Sequence, residues 1–220
     1  MNVQCARMAF LGGEYEFTNS WFEDNRRIWD DLIQRLMPSR ILELGSFEGR
    51  STCYLIDTLA SQEPLLVHCV DTWQGGVEHQ SGGQMESDMS AVEVRFRRNT
   101  ELAVSRSLCP VNLIVDKARS AAALAKLIVD GNGDFDLIYV DGSHNAPDVL
   151  MDALMCFQLL RVGGVMVFDD YIWHEGLPAE VDPLRCPKIA IDAFTTIFAR
   201  KLRLIPATSI SQIYVEKLCD

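Results

Sequence analysis

The segment Ile41-Leu42-Glu43-Leu44-Gly45-Ser46-Phe47-Glu48-Gly49-Arg50-Ser51 decides the fold of this chain. An apolar run ends in a glycine turn, and residues compatible with a helix follow it. This strand, turn and helix form the repeating unit of a parallel α/β sheet. Such sheets bind ligands at the carboxyl ends of their strands, so the turn predicts a binding site. Glycine at positions 45 and 49 is expected to let the backbone approach the ligand closely.

The same rhythm continues along the chain. Short apolar runs rich in Val, Ile and Leu predict parallel strands that are buried on both faces. Helix-compatible segments separate them, which indicates a doubly wound, Rossmann-like α/β fold with helices on both faces of the sheet. The predicted strands are residues 40–44, 65–70, 111–115, 135–140 and 163–168, and the predicted helices are 51–60, 90–102, 119–129 and 146–160.

The two ends of the chain differ from this pattern. Ser20 is expected to cap a helix over residues 21–37. Residues 1–38 are interpreted as an N-terminal helical cap and residues 39–220 as one globular ligand-binding domain. The tail predicts a further helix and a closing, antiparallel pair of strands. Its helix is residues 189–201 and its strands are 202–205 and 212–215.

Two segments, 74–88 and 173–187, fit no regular element. Both follow predicted strands at the ligand-binding edge, so they are candidate lids over the site.

Composition excludes several classes of function. The chain has 220 residues, is 48% hydrophobic and carries a net charge of −11, which fits one globular domain and excludes a basic surface for nucleic acid. No apolar run is long enough to span a bilayer, so no membrane contact is expected. Residues 1–7 do not resemble a signal peptide, and the seven cysteines form no C-x-x-C pair. A cytoplasmic location is therefore expected.

Charge next to the glycine turn bears on the choice of cofactor. Glu43 and Glu48 disfavour the pyrophosphate of a nicotinamide dinucleotide. S-adenosylmethionine carries a cationic sulfur and an ammonium group, so it matches an acidic turn better. Ser51, at the helix start, is expected to bind the cofactor carboxylate. Asp71 ends the second predicted strand and is interpreted either as the acceptor of the ribose hydroxyls or as a helix cap.

Three carboxylates follow the fourth and fifth predicted strands. Asp141, Asp169 and Asp170 would repel one another unless protons or a cation compensate their charge. Hard oxygen ligands favour Mg²⁺, with Mn²⁺ or Ca²⁺ as alternatives. The competing interpretation is structural: Asp141 binds loop amides and Asp170 caps a turn.

A histidine accompanies these carboxylates. His144 lies three residues after Asp141, and this spacing makes it a candidate general base. His79 and His174 lie in the candidate lids, so either is an alternative base or a substrate contact.

These motifs together resemble a known family. Residues 43–51 resemble the E-x-G-x-x-x-G-x-S form of the first motif of class I S-adenosylmethionine-dependent methyltransferases, as in the metal-dependent catechol-type and macrolide-sugar O-methyltransferases. Residues 70–73 resemble the ribose motif, and residues 135–144 and 160–171 resemble the fourth and fifth strands. The resemblance covers most of residues 15–217. It implies a seven-stranded sheet whose last strand is reversed.

The resemblance also implies site residues. The macrolide-sugar group has histidine in the D-x-x-H arrangement of Asp141 and His144, and metal-dependent members have acids at the three rim positions. The turn that contacts adenine in the family has a different sequence here. The resemblance therefore implies an adenine contact only for the backbone amide of Ala118. The implied cofactor-binding residues are Glu43, Gly45, Ser46, Gly49, Ser51, Asp71, Thr72, Trp73, Ala118 and Asp141, and the implied metal ligands are Asp141, Asp169 and Asp170.

The leading hypothesis is therefore metal-assisted O-methylation of a small-molecule hydroxyl, on a sugar- or polyketide-like metabolite. Mg²⁺ would lower the pKa of the hydroxyl and His144 would take its proton. The alternatives are a hydroxylase on the same fold and a non-catalytic S-adenosylmethionine-binding protein that serves as an oligomer partner. The resemblance also suggests a homo-oligomer, and the sequence leaves the assembly state and the acceptor open.

Overall fold

A parallel sheet forms the centre of the protein, as the repeating pattern predicts. The computed structural model describes residues 14–83, 85–174 and 182–220. Within these ranges the strands form one seven-stranded sheet in the order β3-β2-β1-β4-β5-β7-β6. The strands are β1 (Arg40–Leu44), β2 (Leu65–Asp71), β3 (Val111–Lys117), β4 (Phe135–Val140), β5 (Leu160–Phe168), β6 (Leu202–Leu204) and β7 (Ile213–Lys217).

Strands β1 to β5 pair in parallel, and β7 runs antiparallel to both β5 and β6. This arrangement confirms the predicted doubly wound sheet with a reversed last strand. Burial on both faces explains it, because four consecutive residues of β1 are buried.

Helices cover both faces of the sheet and bury one apolar core on each. The helices α1, α2 and α3 contribute to one core, and α4, α5 and α6 contribute to the other. In the described part of the chain the α-helices are α1 (Arg26–Leu36), α2 (Arg50–Leu59), α3 (Met89–Arg106), α4 (Ser120–Val129), α5 (Ala146–Leu159) and α6 (Pro187–Ile197).

The N-terminal helix differs from its prediction. A 3-10 turn, Trp21–Asn25, precedes α1, and the side chain of Ser20 makes no capping hydrogen bond. Asn25 is buried and donates its side-chain amide to Ser211 Oγ at 3.3 Å, so a tertiary contact interrupts the helix. Met37 adopts a left-handed conformation, φ 44°, and ends α1.

The strands bring the predicted site loops to one edge of the sheet. The amide of Gly45 donates to the carbonyl of Val70, and the amide of Asp141 donates to the carbonyl of Leu44. The amide of Asp169 donates to the carbonyl that ends β4. The loops after β1, β2, β4 and β5 are thereby joined by backbone hydrogen bonds.

The candidate lids have little regular structure. The first contains the 3-10 turn Val77–His79, and the second contains Pro183–Arg185. Residues 175–181 of the second lid lie outside the described residues, as do the residues 1–7 considered for a signal peptide. In the described part of the chain, the helices are all too short or too polar to cross a membrane.

Candidate active site

A cavity of about 760 Å³ opens at the carboxyl ends of the strands. Most residues expected at the site line it, including both sides of the glycine turn and the acidic edge. Glu43, Gly49, Trp73 and His174 are absent from its lining. The expected residues that do line it are Gly45, Ser46, Ser51, Asp71, Thr72, His79, Ala118, Asp141, His144, Asp169 and Asp170.

The two glycines of the turn fit against protein atoms. Gly45 has φ +82°, and a Cβ there would lie 2.0 Å from the carbonyl oxygen of Asp141. Gly49 has φ +79°, and its Cβ would meet the Phe96 ring at 2.9 Å. Glycine is therefore needed at both positions for backbone conformation and packing. The expectation that Gly49 admits the ligand is corrected, because its space is filled by α3.

Glu43 lies behind the cavity wall and is completely buried. Its carboxylate accepts hydrogen bonds from the hydroxyls of Ser46, Ser51 and Thr52 and from the thiol of Cys69. Burial raises the pKa of Glu43, and these four hydrogen bonds act in the opposite direction. The expected direct contact of Glu43 with the cofactor is therefore corrected. The Ser51 hydroxyl is likewise engaged by Glu43, so this acid shapes the turn from behind.

The carboxylate of Glu48 is also occupied by hydrogen bonds within the protein. It is buried and accepts hydrogen bonds from the amide and hydroxyl of Thr18, each at 2.7 Å, and from Arg95 Nε at 2.6 Å. The charge argument against a dinucleotide counted Glu43 and Glu48 as facing the ligand. Neither carboxylate is free to act on one, so that argument is left with the acidic edge alone.

Asp71 lies in the cavity wall and organises the glycine turn. Its Oδ2 accepts the amides of Ser46 at 2.8 Å and Phe47 at 2.9 Å, and its Oδ1 accepts the amide of Trp73 at 2.7 Å. It therefore does not cap a helix, which removes that alternative.

Two neighbours of Asp71, Trp73 and Ala118, were expected to contact the cofactor, with a core role as the alternative for Trp73. Trp73 is buried, packs on Phe96 with ring centroids 4.8 Å apart, and donates Nε1 to the carbonyl of Phe47. It belongs to the core and not to the cavity. The amide of Ala118 already donates to the carbonyl of Asp71 at 3.1 Å, so its expected role toward adenine is corrected.

The carboxylates of the acidic edge lie close together, as the strand ends predict. Burial and the neighbouring Asp170 raise the pKa of Asp169 to about 6. Burial, with the charges of Asp169 and Asp170, raises the pKa of Asp141 well above its usual range. The edge therefore holds more negative charge than its surroundings stabilise.

These carboxylates do not form the expected metal centre. Both oxygens of Asp169 are engaged: Oδ2 by Tyr139 Oη and by Gln212 Nε2 at 2.8 Å, and Oδ1 by the amide of Asp170 at 2.8 Å. Among the described residues, no three His, Cys, Asp or Glu side chains are arranged to hold a metal ion. The donor set as placed does not fit the predicted Mg²⁺ triad.

His144 occupies the centre of this edge. Its Nε2 lies 2.8 Å from Asp170 Oδ2, and its Nδ1 lies 3.4 Å from Glu78 Oε1. Trp173 stacks on the imidazole with ring centroids 3.9 Å apart. Burial opposes the charge on the ring, but the contacts with Asp170 and Glu78 raise the pKa of His144 to about 9.

Glu78 is a candidate site residue that sequence reasoning missed. It is buried and lines the cavity, and its Oε1 lies 3.1 Å from Nδ1 of His79. Burial alone would raise the pKa of Glu78, but the contacts with His144 and His79 lower it well below its usual range. The segment Gly75-Gly76-Val77-Glu78-His79 has no periodicity that distinguishes this acid from a solvent-exposed one. His174 is exposed and lies off the cavity, so the base candidates are His144 and His79.

Comparison with known proteins identifies the family. A family model described as a methyltransferase domain matches residues 42–171, which is more than half of the chain. The chain belongs to this methyltransferase family. The match spans the glycine turn, Asp71 and the acidic edge, so the motifs of this methyltransferase are the ones that its cavity brings together. The family prediction is confirmed at this level.

Solved structures share the fold of the methyltransferase. An O-methyltransferase from Bacillus cereus, in complex with SAH, aligns with a TM-score of 0.63 and 15% identity over 93% of this chain and 84% of that chain. TomG from Streptomyces achromogenes, an O-methyltransferase of tomaymycin synthesis in complex with SAM, aligns at 0.62 and 18% over 89% and 80%.

CalS11 is described as a TDP-rhamnose 3'-O-methyltransferase of calicheamicin biosynthesis. It aligns with a TM-score of 0.55 and 15% identity over 90% of this chain and 81% of its own. No curated protein matches the chain significantly in sequence. At these identities the structures establish the fold, and the sequence model establishes the family.

Proposed function

We propose that the protein transfers the methyl group of S-adenosylmethionine to a hydroxyl oxygen of a small molecule. The observation that carries this proposal is His144, held at the edge of a methyltransferase cavity between Asp170 and Glu78. An imidazole beside a cofactor cavity can serve hydroxyl chemistry, because an oxygen nucleophile must lose its proton to attack efficiently. The SAH and SAM complexes of the two structural neighbours support the choice of cofactor.

The cofactor would lie across the glycine turn. Asp71 presents its carboxylate at the cavity wall, where the lone pair of Oδ1 that no amide occupies can accept a ribose hydroxyl. Ser46, Thr72 and Ala118 line the same region. When bound there, S-adenosylmethionine supplies an electrophilic methyl group on a cationic sulfur. The acidic edge favours that cation over a pyrophosphate.

His144 acts as the general base in this proposal. Its neutral form accepts the acceptor's hydroxyl proton as the oxygen attacks the methyl carbon, the carbon–sulfur bond breaks, and S-adenosylhomocysteine leaves. Asp170 holds Nε2 at 2.8 Å and stabilises the imidazolium that forms. Trp173 covers one face of the ring and limits its contact with water. His79 is less suited to this role, because its Nδ1 already accepts the backbone amide of Gly76 at 3.3 Å.

The expected Mg²⁺ remains a prediction that the donor geometry does not favour. Its ligands would be Asp141, Asp169 and Asp170, yet Asp169 and Asp170 are engaged by Tyr139, Gln212 and His144. We therefore route no step through a metal ion. A cytoplasmic location and a homo-oligomer also remain predictions.

The acceptor class follows from the acceptor end of the cavity. The cavity offers several hydrogen-bonding groups near His144, namely Asp141, Glu78 and His79, beside apolar ones such as Phe47 and Trp173. We propose a polyhydroxylated acceptor, such as a sugar-bearing metabolite, because polar groups that enter a buried site need partners. The description of CalS11 as a sugar O-methyltransferase is consistent with this class.

Thermal unfolding with SAH, S-adenosylmethionine, NAD⁺ and Mg²⁺, singly and combined, tests the proposal. A ligand at about 100 times its Kd adds about 2.7 kcal/mol, which raises Tm by roughly 5–10 °C in a domain of this size. We expect this shift with the two sulfur compounds and not with NAD⁺. The Asp71→Ala variant should lose the shift, whereas Glu86→Gln, in the exposed part of the first lid, should keep it.

The same protein then enters a screen of sugar-bearing hydroxyl compounds, read by mass spectrometry for a methyl gain with formation of S-adenosylhomocysteine. Product formed in excess chelator would rule out a required metal. SAH binding without any methyl transfer would favour the non-catalytic alternative, and oxygen consumption with iron would favour the hydroxylase. No stabilisation by either sulfur compound would overturn the proposal.

A further inference from the structure

The first lid is folded around one buried carboxylate. Glu78 lies in the turn Val77–His79 and is 7% exposed. A Cβ on Gly76 would lie 2.2 Å from Glu78 Oε1, so a side chain there would displace the carboxylate from this position. The amide of His79 donates to the carbonyl of Gly76 at 3.2 Å and closes the turn. The lid therefore holds this carboxylate at a fixed position over the cavity.

The partners of this carboxylate are two imidazoles. Glu78 Oε1 lies 3.1 Å from Nδ1 of His79 and 3.4 Å from Nδ1 of His144. Burying a carboxylate costs several kcal/mol unless partners compensate it. A lid that needed only to close would place an apolar residue at this point. The charge is retained where it faces the candidate base.

The ring of His144 is held by groups from two different loops. Asp170, after β5, holds Nε2, and Trp173 covers one face. Rotation of the imidazole about its Cβ–Cγ bond changes the direction of Nδ1, so a contact on that edge helps to fix it. Nδ1 is buried and lies 3.4 Å from Glu78 Oε1 without hydrogen-bond geometry, and no other described residue bonds to it, so its lone pair is the one available to an acceptor hydroxyl. Glu78 is the group that faces this edge of the ring.

We propose that Glu78 is a positioning residue that holds the Nδ1 edge of His144 toward the acceptor. Because Glu78 belongs to the first lid, the base is aligned only when that lid lies over the cavity. Closure of the lid therefore places the base and excludes water from the cavity in the same step. This inference rests on the proposed function.

A spectroscopic test reads the position of the ring without any acceptor. The chain has four histidines, and the His144→Asn variant assigns the signal of His144 in ring-labelled protein. Stacking on Trp173 shields its ring protons and gives them a distinctive upfield shift. With SAH present, we expect Glu78→Ala to lose most of this upfield shift and Glu78→Gln, which keeps the shape and an acceptor oxygen, to retain most of it.

Glu86→Ala is the matched control, because Glu86 lies in the same lid and its carboxylate accepts only the amide of Gly82 among the described contacts. It should leave the His144 signal unchanged. The Kd for SAH should change less than about twofold in all three variants, since Glu78 is assigned no cofactor contact. With an acceptor from the screen, Glu78→Ala should lower kcat by about 100-fold and change KM for S-adenosylmethionine little.

Each other outcome overturns the inference. An unchanged His144 signal in Glu78→Ala means that Asp170 and Trp173 suffice. A large fall in Tm or in SAH affinity in both Glu78 variants means that the residue only maintains the lid fold. Failure of the proposed function is distinguishable, because it appears as loss of SAH binding or of methyl transfer in the unmodified protein.

Discussion

The buried Glu43 and the three acids of the edge lie at the same end of the sheet, and the protein surrounds them differently. Behind the glycine turn, Glu43 receives four hydrogen bonds from neutral side chains. At the acidic edge, Asp141, Asp169 and Asp170 face one another, and histidine is the cation that pairs with Asp170. The same chemical group is fully satisfied in one region and left under electrostatic strain in the other.

The difference separates scaffolding from chemistry. A carboxylate with a complete set of donors stabilises one local conformation and leaves nothing for a ligand. Carboxylates that repel one another beside an imidazole retain unfavourable electrostatic energy. Binding of a cationic ligand or a proton relieves it. Acidic charge near a cavity therefore indicates function where neighbouring acids leave it uncompensated, as at Asp141, and not where neutral donors enclose it, as at Glu43.

Gly45 joins the two regions, so replacing it should have the largest effect. In Gly45→Ala the new Cβ would overlap the carbonyl of Asp141. The clashing atoms belong to the backbone of Asp141 and Gly142, so they cannot easily move aside. We expect a loss of at least about 3 kcal/mol, a fall in Tm of roughly 6–12 °C, and loss of SAH binding. Gly131→Ala is the control, since Gly131 also has positive φ but meets no atom within 4 Å. It should cost only about 1–2 kcal/mol, and equal effects would contradict the steric account.

His144 tests the acidic edge by its chemistry. We expect His144→Gln to lower kcat by about 10²–10⁴-fold with an unchanged Kd for SAH. Only neutral imidazole accepts a proton, and the pKa of His144 is raised to about 9. The kcat/KM of the unmodified enzyme should therefore rise with pH, reach half of its maximum near pH 9 and level off above that value. A variant that keeps both the rate and this pH profile would remove His144 as the base.

Glu43 tests the scaffold by its stability. Glu43→Ala leaves the donors of Ser46, Ser51 and Thr52 without their acceptor, and we expect a loss of about 3 kcal/mol in the free energy of unfolding. Denaturant titration measures it. Asp170→Asn, at the edge, should lose activity at little cost in stability. If Glu43→Ala unfolds no more easily than Asp170→Asn, the distinction between the two regions is wrong.

Replacing Asp152 should have the smallest effect on stability, and it extends the comparison to a further buried acid. It is buried on α5, and one of its carboxylate oxygens has no hydrogen-bond partner among the described residues. Burial raises its pKa to about 6, so its ionisation disfavours the fold as pH rises from about 4 through 6. Asp152→Asn should raise stability by about 1–3 kcal/mol above pH 6 and leave Tm unchanged below pH 4. The exposed Asp130→Asn should change neither, and a destabilised Asp152→Asn at pH 8 would contradict the sign.

The sequence located the elements well where burial is simple. The bounds of β1 and β4 agree with their predictions, because both strands are buried on both faces and read as continuous apolar runs. The start of β5 was predicted three residues late. Gly163 and Gly164 disfavour a strand locally, yet pairing of Leu160 with Phe135 extends β5 across them. Tertiary pairing outweighed local preference there.

The sequence by itself determined the strand, turn and helix rhythm, the glycine turn and the acids at strand ends, since each depends on local pattern and on the geometry of parallel sheets. Only the tertiary structure decided which acids face the cavity. Glu43 turns inward because hydroxyls from the next helix reach it, and Glu78 reaches His144 because an irregular lid folds over the site. A periodic pattern encodes the direction of a side chain, whereas a lid has no period, so its contacts exist only once the chain has folded.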